Sequence, residues 1–334
     1  MLAKPRLGLS GRQPVLLLRL RGGLGNQLFE YAAGRALALR NHVPLWLDTT
    51  SGFCGDPYGR AYELGGLNLL GERIEQACSA DLGIRAELFR RLVGRREMWR
   101  MRVGRYFDPA IYNLRVKRPT ALDAYCQSPR YFCEIEELLR SELEFKTIPL
   151  GLSDVTVRDI IQANSVCLHA RRLHGKEVDG SRPQSVADYY GACDIAYYCR
   201  AIREVSAVHG RLGVFIFSDD TRWACQNAGV FETEGCSVTV IDDEDPLRSL
   251  YLMTLCKHFI IANSTFSWWA AWLGKYPMKT VCVPPVWNRG ERRPPRDLFP
   301  PAWKVVLAAT ATPADGFRTT SGGSEEATSG PRAS

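Results

Sequence analysis

Between residues 166 and 283 five short apolar runs alternate with stretches of helical character, and that rhythm restricts the fold more than any other feature. The runs are 166–168, 214–217, 238–241, 259–262 and 281–283, each too short for a helix and without polar alternation. The stretches 188–205, 221–227, 246–257 and 267–273 suit helices; in the third, Leu247, Leu250, Tyr251 and Thr254 share one face. Strands that are apolar on both sides need helices over both faces, which predicts a parallel, doubly wound sheet in the C-terminal half.

The N-terminal part opens in the same manner. Residues 15–20 form an apolar run, Arg21-Gly22-Gly23-Leu24-Gly25 turns, and 26–40 place Leu28, Tyr31, Ala32, Leu37 and Leu39 at roughly helical spacing. A strand at 45–47, ending in Asp48, completes a βαβ opening. The stretch 50–160 is less regular and is expected to finish this part with helices and inserted loops. The expected organisation is a flexible leader (1–13), an N-terminal α/β domain (14–160), a C-terminal Rossmann-like domain (161–307) and a disordered tail (308–334) of Ala, Thr, Ser, Gly and Pro.

Composition excludes several classes. With 46% hydrophobic and 24% charged residues in 334, this is ordinary soluble globular material. No apolar run approaches the roughly 20 residues of a membrane span. The 11 cysteines include no Cys-x-x-Cys pair and no His cluster beside them, so reduced, mostly buried thiols in a cytoplasmic protein are expected, and no metal site. The net charge of +7 is unevenly placed, with eight arginines between 85 and 105. That segment reads either as a solvated helix face or as peripheral contact with the anionic inner face of a membrane. No nucleic-acid-binding motif accompanies it.

Four polar clusters directly follow predicted strands: Arg21 to Gln27, His169-Ala170-Arg171-Arg172, Ser218-Asp219-Asp220, and Asn263-Ser264-Thr265-Phe266. Open parallel sheets bind ligands beyond the carboxyl ends of their strands, so clusters sharing that edge point to a ligand site. Taken singly, each has a plainer reading. The glycines permit a tight turn, the arginines sit on the surface, and Asp219, Asp220 and the Asn263–Thr265 group cap helices. Capping and phosphate binding are compatible, because a helix N-terminus offers free N–H groups and a positive dipole end.

The segments GGLGNQLFEYAAGRAL, LDTTSGFCGDPYGRAYELGGLNL, HARR, FIFSDDTRWAC and LYLMTLCKHFIIANSTFSWWAAWLG closely resemble, in the same order, those of the bacterial-type alpha-1,2-fucosyltransferases of glycosyltransferase family 11. The resemblance covers about 15–283. It implies two Rossmann-like domains facing a cleft (GT-B type), GDP-fucose as donor substrate, inversion at the anomeric carbon and no metal or other cofactor. The implied acceptor is a galactoside 2-hydroxyl on a glycan or lipid-linked oligosaccharide. Two departures stand out. Leu173-His174 follow the arginines where the family usually has Gly-Asp, and Ser249 stands where it usually has Asp.

Departing GDP carries negative charge. Neither Asp219-Asp220 nor Asp242-Asp243-Glu244 has the Asp-x-Asp spacing of a metal-binding pair. Arginine offers phosphate a planar fork instead, each charge-assisted bond contributing about 1.5–3 kcal/mol. Arg171 or Arg172 is therefore expected on the pyrophosphate, with His169, Ser218, Asp219, Asp220 and Asn263 to Phe266 completing the donor side. Gly23, Gly25, Asn26 and Gln27 are expected on the cleft and acceptor side. Glu177, Asp179 and Asp48 are the candidates for the base; the alternative is a loose, oxocarbenium-like transition state that needs no strong base. The alternatives are a related transferase with a different nucleotide sugar, or an inactive glycan-binding relative.

Overall fold

The computed structural model describes residues 13–56, 58–69, 106–149, 154–172, 191–288, 291 and 296–307, and the backbone of 74–77 and 99–100. The leader, the tail and nearly all of the arginine-rich segment lie outside these residues, as do Glu177 and Asp179.

The first half builds a five-stranded parallel sheet from β1 (Leu16–Arg19), β2 (Leu45–Asp48), β3 (Ile74–Ala77), β4 (Trp99–Arg100) and β5 (Thr120–Asp123). Its order is β3-β2-β1-β5-β4, so the chain reverses its direction of travel between β1 and β5. Helix α1 (Leu24–Asn41) follows β1, and short helices α2 (Pro109–Tyr112) and α3 (Glu136–Glu142) come later. Almost every residue of α1 is buried, including Arg35, whose guanidinium forks onto buried Glu142 at 2.7 and 3.0 Å. A buried charge of this kind is tolerated because it is paired and hydrogen-bonded.

The second half forms a six-stranded sheet, β11-β10-β9-β6-β7-β8, also parallel throughout. Its strands are β6 (Ser165–Ala170), β7 (Gly213–Ser218), β8 (Ser237–Ile241), β9 (His258–Ile260), β10 (Val281–Val283) and β11 (Lys304–Val305). All six residues of β6 are buried, as central strands covered on both faces require. Helices α4 (Asp154–Gln162), α5 (Ile195–His209), α6 (Thr221–Glu232), α7 (Pro246–Leu255) and α8 (Thr265–Leu273) accompany it. Here the switch in direction falls between β6 and β9.

The two halves share one hydrophobic cluster, with α8 of the second packed on α1 of the first. Phe29 of α1 lies 4.5 Å from Trp268 and 5.1 Å from Trp269, and Phe132 stacks on Trp269 at 5.5 Å. The result is the expected arrangement of two Rossmann-like units, their strand ends facing each other across the α1–α8 contact.

Several boundaries differ from the sequence expectation. The sheet has six strands rather than five, because the two-residue edge strand β11 carries too little apolar signal to register. Helix α6 runs to Glu232, beyond residue 227, since Phe231 reaches the core one turn further on. The helix expected over 188–205 begins instead at Ile195, where Asp194 accepts the Tyr197 N–H at 2.6 Å and caps it.

Candidate active site where two helices begin

Helices α1 and α8 start against each other. A Cβ placed on Gly25 would lie 2.4 Å from the Phe266 N, so only glycine lets the two backbones approach this closely. Neither helix has a side-chain cap: Gly23 occupies one N-cap position and Ser264, whose hydroxyl makes no capping bond, the other. Two positive dipole ends thus converge without a capping side chain. Gly22 makes the preceding turn with a φ of 71°, in the left-handed region.

Asn26 ties the junction together. Its Oδ1 accepts from the Thr265 hydroxyl and from Gln127 Nε2, both at 3.0 Å. Gln127 follows β5 and Thr265 follows β9, so the switch points of both sheets meet at one side chain. Gln27 is different: it is fully buried, and its amide bonds only backbone, to the Gly22 and Ala61 carbonyls and from the Glu63 N–H.

The loops after β6 and β7 are interlocked by Asp219. This carboxylate pairs with Arg171 Nη1 at 3.3 Å and accepts the Arg172 N–H at 2.6 Å. The arginines then diverge. Arg172 lies over the Trp223 ring at 4.5 Å and donates to the Cys193 carbonyl, which commits it to packing. Arg171 keeps a more accessible guanidinium, its side chain 37% exposed. Asp220 caps α6 through the Trp223 N–H at 2.9 Å, and Ser218 donates to the Ala170 carbonyl. Asn263, nearly buried, donates to the Gly191 and Trp287 carbonyls.

His169 is buried against Phe266, ring centroids 5.7 Å apart, and its Nδ1 has no hydrogen-bond partner among the described residues. Burial pushes its pKa down to about 4, with Arg171 adding to the effect and Asp219 opposing it. The imidazole is therefore neutral at pH 7.

Asp48, named as a base candidate, sits at the end of β2 with both oxygens engaged by Thr50 and Ser51. At the departure position, the Ser249 hydroxyl donates to the Asp243 carbonyl in the first turn of α7, while Asp245 caps that helix. Among the described residues, no group of three or more His, Cys, Asp or Glu could hold a metal ion.

Sequence reasoning missed two carboxyl groups. Glu30 is fully buried beneath the glycine loop and accepts the Arg21 N–H at 2.9 Å, and burial raises its pKa well above the carboxylate range. Glu63 sits beside the start of α1, its N–H donating to Gln27 Oε1 at 2.9 Å. Burial raises its pKa, Asp245 adds to the rise, and Leu24 and Arg60 pull the other way. No local pattern marks either residue, because burial and contact with the glycine loop, not sequence spacing, single them out. A cavity of about 1160 Å³ opens elsewhere, lined by Phe145, Tyr251 and Tyr276 among others, and holds none of these residues.

Arg171 and the start of α8 lie at the carboxyl-end edge of the parallel sheets, an arrangement that can receive an anionic group. Residues 110–306 match the family Glycosyl transferase family 11. The chain is 28% identical over 294 residues to an Escherichia coli protein named "Alpha-1,2-colitosyltransferase", covering 86% of this chain and 98% of that one. It is 24% identical to a Caenorhabditis elegans "Galactoside 2-alpha-L-fucosyltransferase", covering 88% and 79%. A solved structure of NodZ alpha-1,6-fucosyltransferase soaked with GDP-fucose aligns at a TM-score of 0.46 and 16% identity, over 78% of this chain and 93% of that one. The chain belongs to glycosyl transferase family 11.

Proposed function

We propose that the chain transfers L-fucose from GDP-fucose to the 2-hydroxyl of a galactoside, with inversion and without a metal. One observation carries this reading: the loops after β1, β6, β7 and β9 converge where α1 and α8 begin, with Arg171 at their edge. In this reading Arg171 and the N–H groups at the start of α8 receive the pyrophosphate, and Arg172 shapes the loop. Neutral His169 contributes an uncharged ring beside Phe266. Arginine replaces the metal by neutralising charge that grows as GDP leaves. The acceptor, a glycan or lipid-linked oligosaccharide, approaches from the side of Gly23 and Asn26.

The test is GDP release from GDP-fucose, measured with a panel of β-galactosides. Release that depends on a terminal galactoside, with fucose recovered on its 2-position, supports the reading. A chain that binds glycans and releases no GDP is the inactive relative instead.

A second reading follows from the similarity to a colitosyltransferase. Colitose is fucose without its 3-hydroxyl. A pocket built to hydrogen-bond that hydroxyl rejects the deoxy sugar strongly, whereas an apolar pocket discriminates by only about 10–200-fold. Competition between GDP-fucose and GDP-colitose decides between them.

The arginine-rich segment is proposed to touch anionic lipid. Sedimentation with anionic and neutral vesicles tests this, and binding that does not weaken with salt argues against it. No helix among the described residues is long and apolar enough to cross a membrane.

A further inference from the structure

We propose that Arg60 is a phosphate-binding arginine supplied by the first half of the chain, gripping the donor's diphosphate together with Arg171. The assignment rests on the reading of the chain as a nucleotide-sugar transferase and names a further residue of its donor site.

Arg60 is carried to the glycine loop by the residues on either side of it. Fully buried Gln27 of α1 clips the following segment to the helix: its Nε2 donates to the Ala61 carbonyl at 2.8 Å and its Oε1 accepts the Glu63 N–H at 2.9 Å. The preceding residues form a tight turn. The Asp56 carboxylate accepts the Tyr58 N–H at 2.8 Å and the Arg60 N–H at 3.3 Å, and Gly59 takes a φ of 62°, in the left-handed region. The guanidinium then lies over the Tyr58 ring, 4.5 Å from its centroid, which restrains its direction.

So held, Arg60 stands beside the start of α1. A Cβ placed on Gly23 would lie 3.9 Å from Arg60 Nε, and no other heavy atom of the described residues comes within 4 Å apart from its chain neighbours. The space between loop and guanidinium is therefore open. Two residues further on, Gly25 abuts the Phe266 N at the start of α8, where the diphosphate is proposed to sit.

The guanidinium is also uncommitted. Arg60 is half-buried, yet its side chain forms no ion pair and donates no hydrogen bond among the described residues. Other arginines at these strand ends are spent: Arg19 and Arg21 on Asp123 at 3.1 and 3.3 Å, and Arg171 on Asp219 at 3.3 Å. A guanidinium offers its N–H donors in a planar fork that matches phosphate oxygens, and stacking on Tyr58 reduces the freedom lost when they bind. A partly desolvated cation without a carboxylate partner gains most from an anion that arrives as ligand.

The test titrates GDP and guanosine into the full chain and its Arg60→Ala, Arg60→Lys and Gly23→Ala variants, with melting temperature and acceptor KM measured alongside. Arg60→Ala should bind GDP about 10- to 100-fold more weakly, the loss of a charge-assisted bond, at near-wild-type melting temperature and acceptor KM. Arg60→Lys should fall between. Gly23→Ala should weaken GDP as well: the φ of −78° there suits alanine, and the added methyl enters the space before the guanidinium. GDP affinity within about twofold of wild type in Arg60→Ala overturns the assignment. In that case a fallen melting temperature marks a structural arginine, and a raised acceptor KM marks an acceptor contact. Equal losses for GDP and guanosine place Arg60 on the base and overturn it too. If Arg60→Ala does not fold, wild-type GDP affinity in both Arg60→Lys and Gly23→Ala is the overturning result. A wild type that binds no GDP removes the transferase reading and Arg60 with it, whereas a GDP-binding wild type matched by Arg60→Ala removes Arg60 alone.

Discussion

The Thr265 hydroxyl donates to Asn26 Oδ1 at 3.0 Å, and the two residues come from opposite halves of the chain, each at the first turn of a helix. The same oxygen accepts from Gln127, so one amide joins three loops.

Asn26→Ala should leave Thr265 and Gln127 short of an acceptor. An unsatisfied polar group costs about 1–3 kcal/mol, so urea unfolding should shift to lower midpoint and turnover should fall with it. Gly25→Ala should be worse, because its new methyl meets Phe266 backbone that cannot rotate away. Wild-type stability in Gly25→Ala would mean that the helices do not touch in solution.

The two arginines should separate. Arg171→Ala should weaken GDP binding and cut turnover about 100- to 1000-fold with little change in melting. Arg171→Lys should fall between, keeping charge without the fork. Arg172→Ala should instead lose melting temperature, because it removes the contact with Trp223 and the bond to Cys193. Unchanged GDP affinity in both alanine variants would put the donor on another loop.

Acid should destabilise the fold through two histidines. His169 and His258 are both pushed down to about 4, each mainly by burial. His258 Nδ1 accepts the Thr280 N–H at 3.1 Å, so a proton there would oppose a donor, and its ring stacks on His209 at 3.9 Å. Both side chains are bases held neutral by folding. Stability should therefore be full above about pH 6.5 and decline as pH falls from there toward 4, where the folded form titrates too. Melting curves at pH 7 and 5 check this, and His258→Gln should narrow the gap between them. An equal gap would acquit His258.

Trp269→Ala should cost about 3–5 kcal/mol, since it empties the contact between α1, Phe132 and α8. Trp269→Phe should cost less, because the buried Nε1 has no partner among the described residues to lose. Denaturant titration gives both values. Unfolding of the variant in two separate transitions would show that the halves hold independent cores.

Transfer should persist in EDTA if Arg171 neutralises the departing phosphates. Complete loss, restored by manganese or magnesium, would defeat the arginine mechanism.

Much of the fold was readable because it is written locally. The apolar runs at 166–168, 214–217 and 281–283 announce strands through period alone, and short runs bounded by polar turns have few other structures available. The polar loops after them were readable as a candidate site because a parallel sheet puts every strand end on one edge. Local signal fails for β11, which is two residues long, and for the start of α5, which depends on the Asp194 cap.

The sequence by itself determined which residue types stand at the strand ends: glycines after β1, arginines after β6, aspartates after β7 and an Asn-Ser-Thr turn after β9. Only the tertiary structure decided what each of them does. Arg171 and Arg172 are neighbours with the same chemistry, and the distant partners Asp219, Trp223 and Cys193 divide their roles. Gln27 is spent on backbone while Asn26, one residue earlier, bridges the halves, because a helix turns consecutive side chains about 100° apart. Glu63 became visible only when folding carried it beside Gln27. Charge, burial and hydrogen-bond competition act through space over a few ångströms, and sequence order does not record which distant groups will share that space.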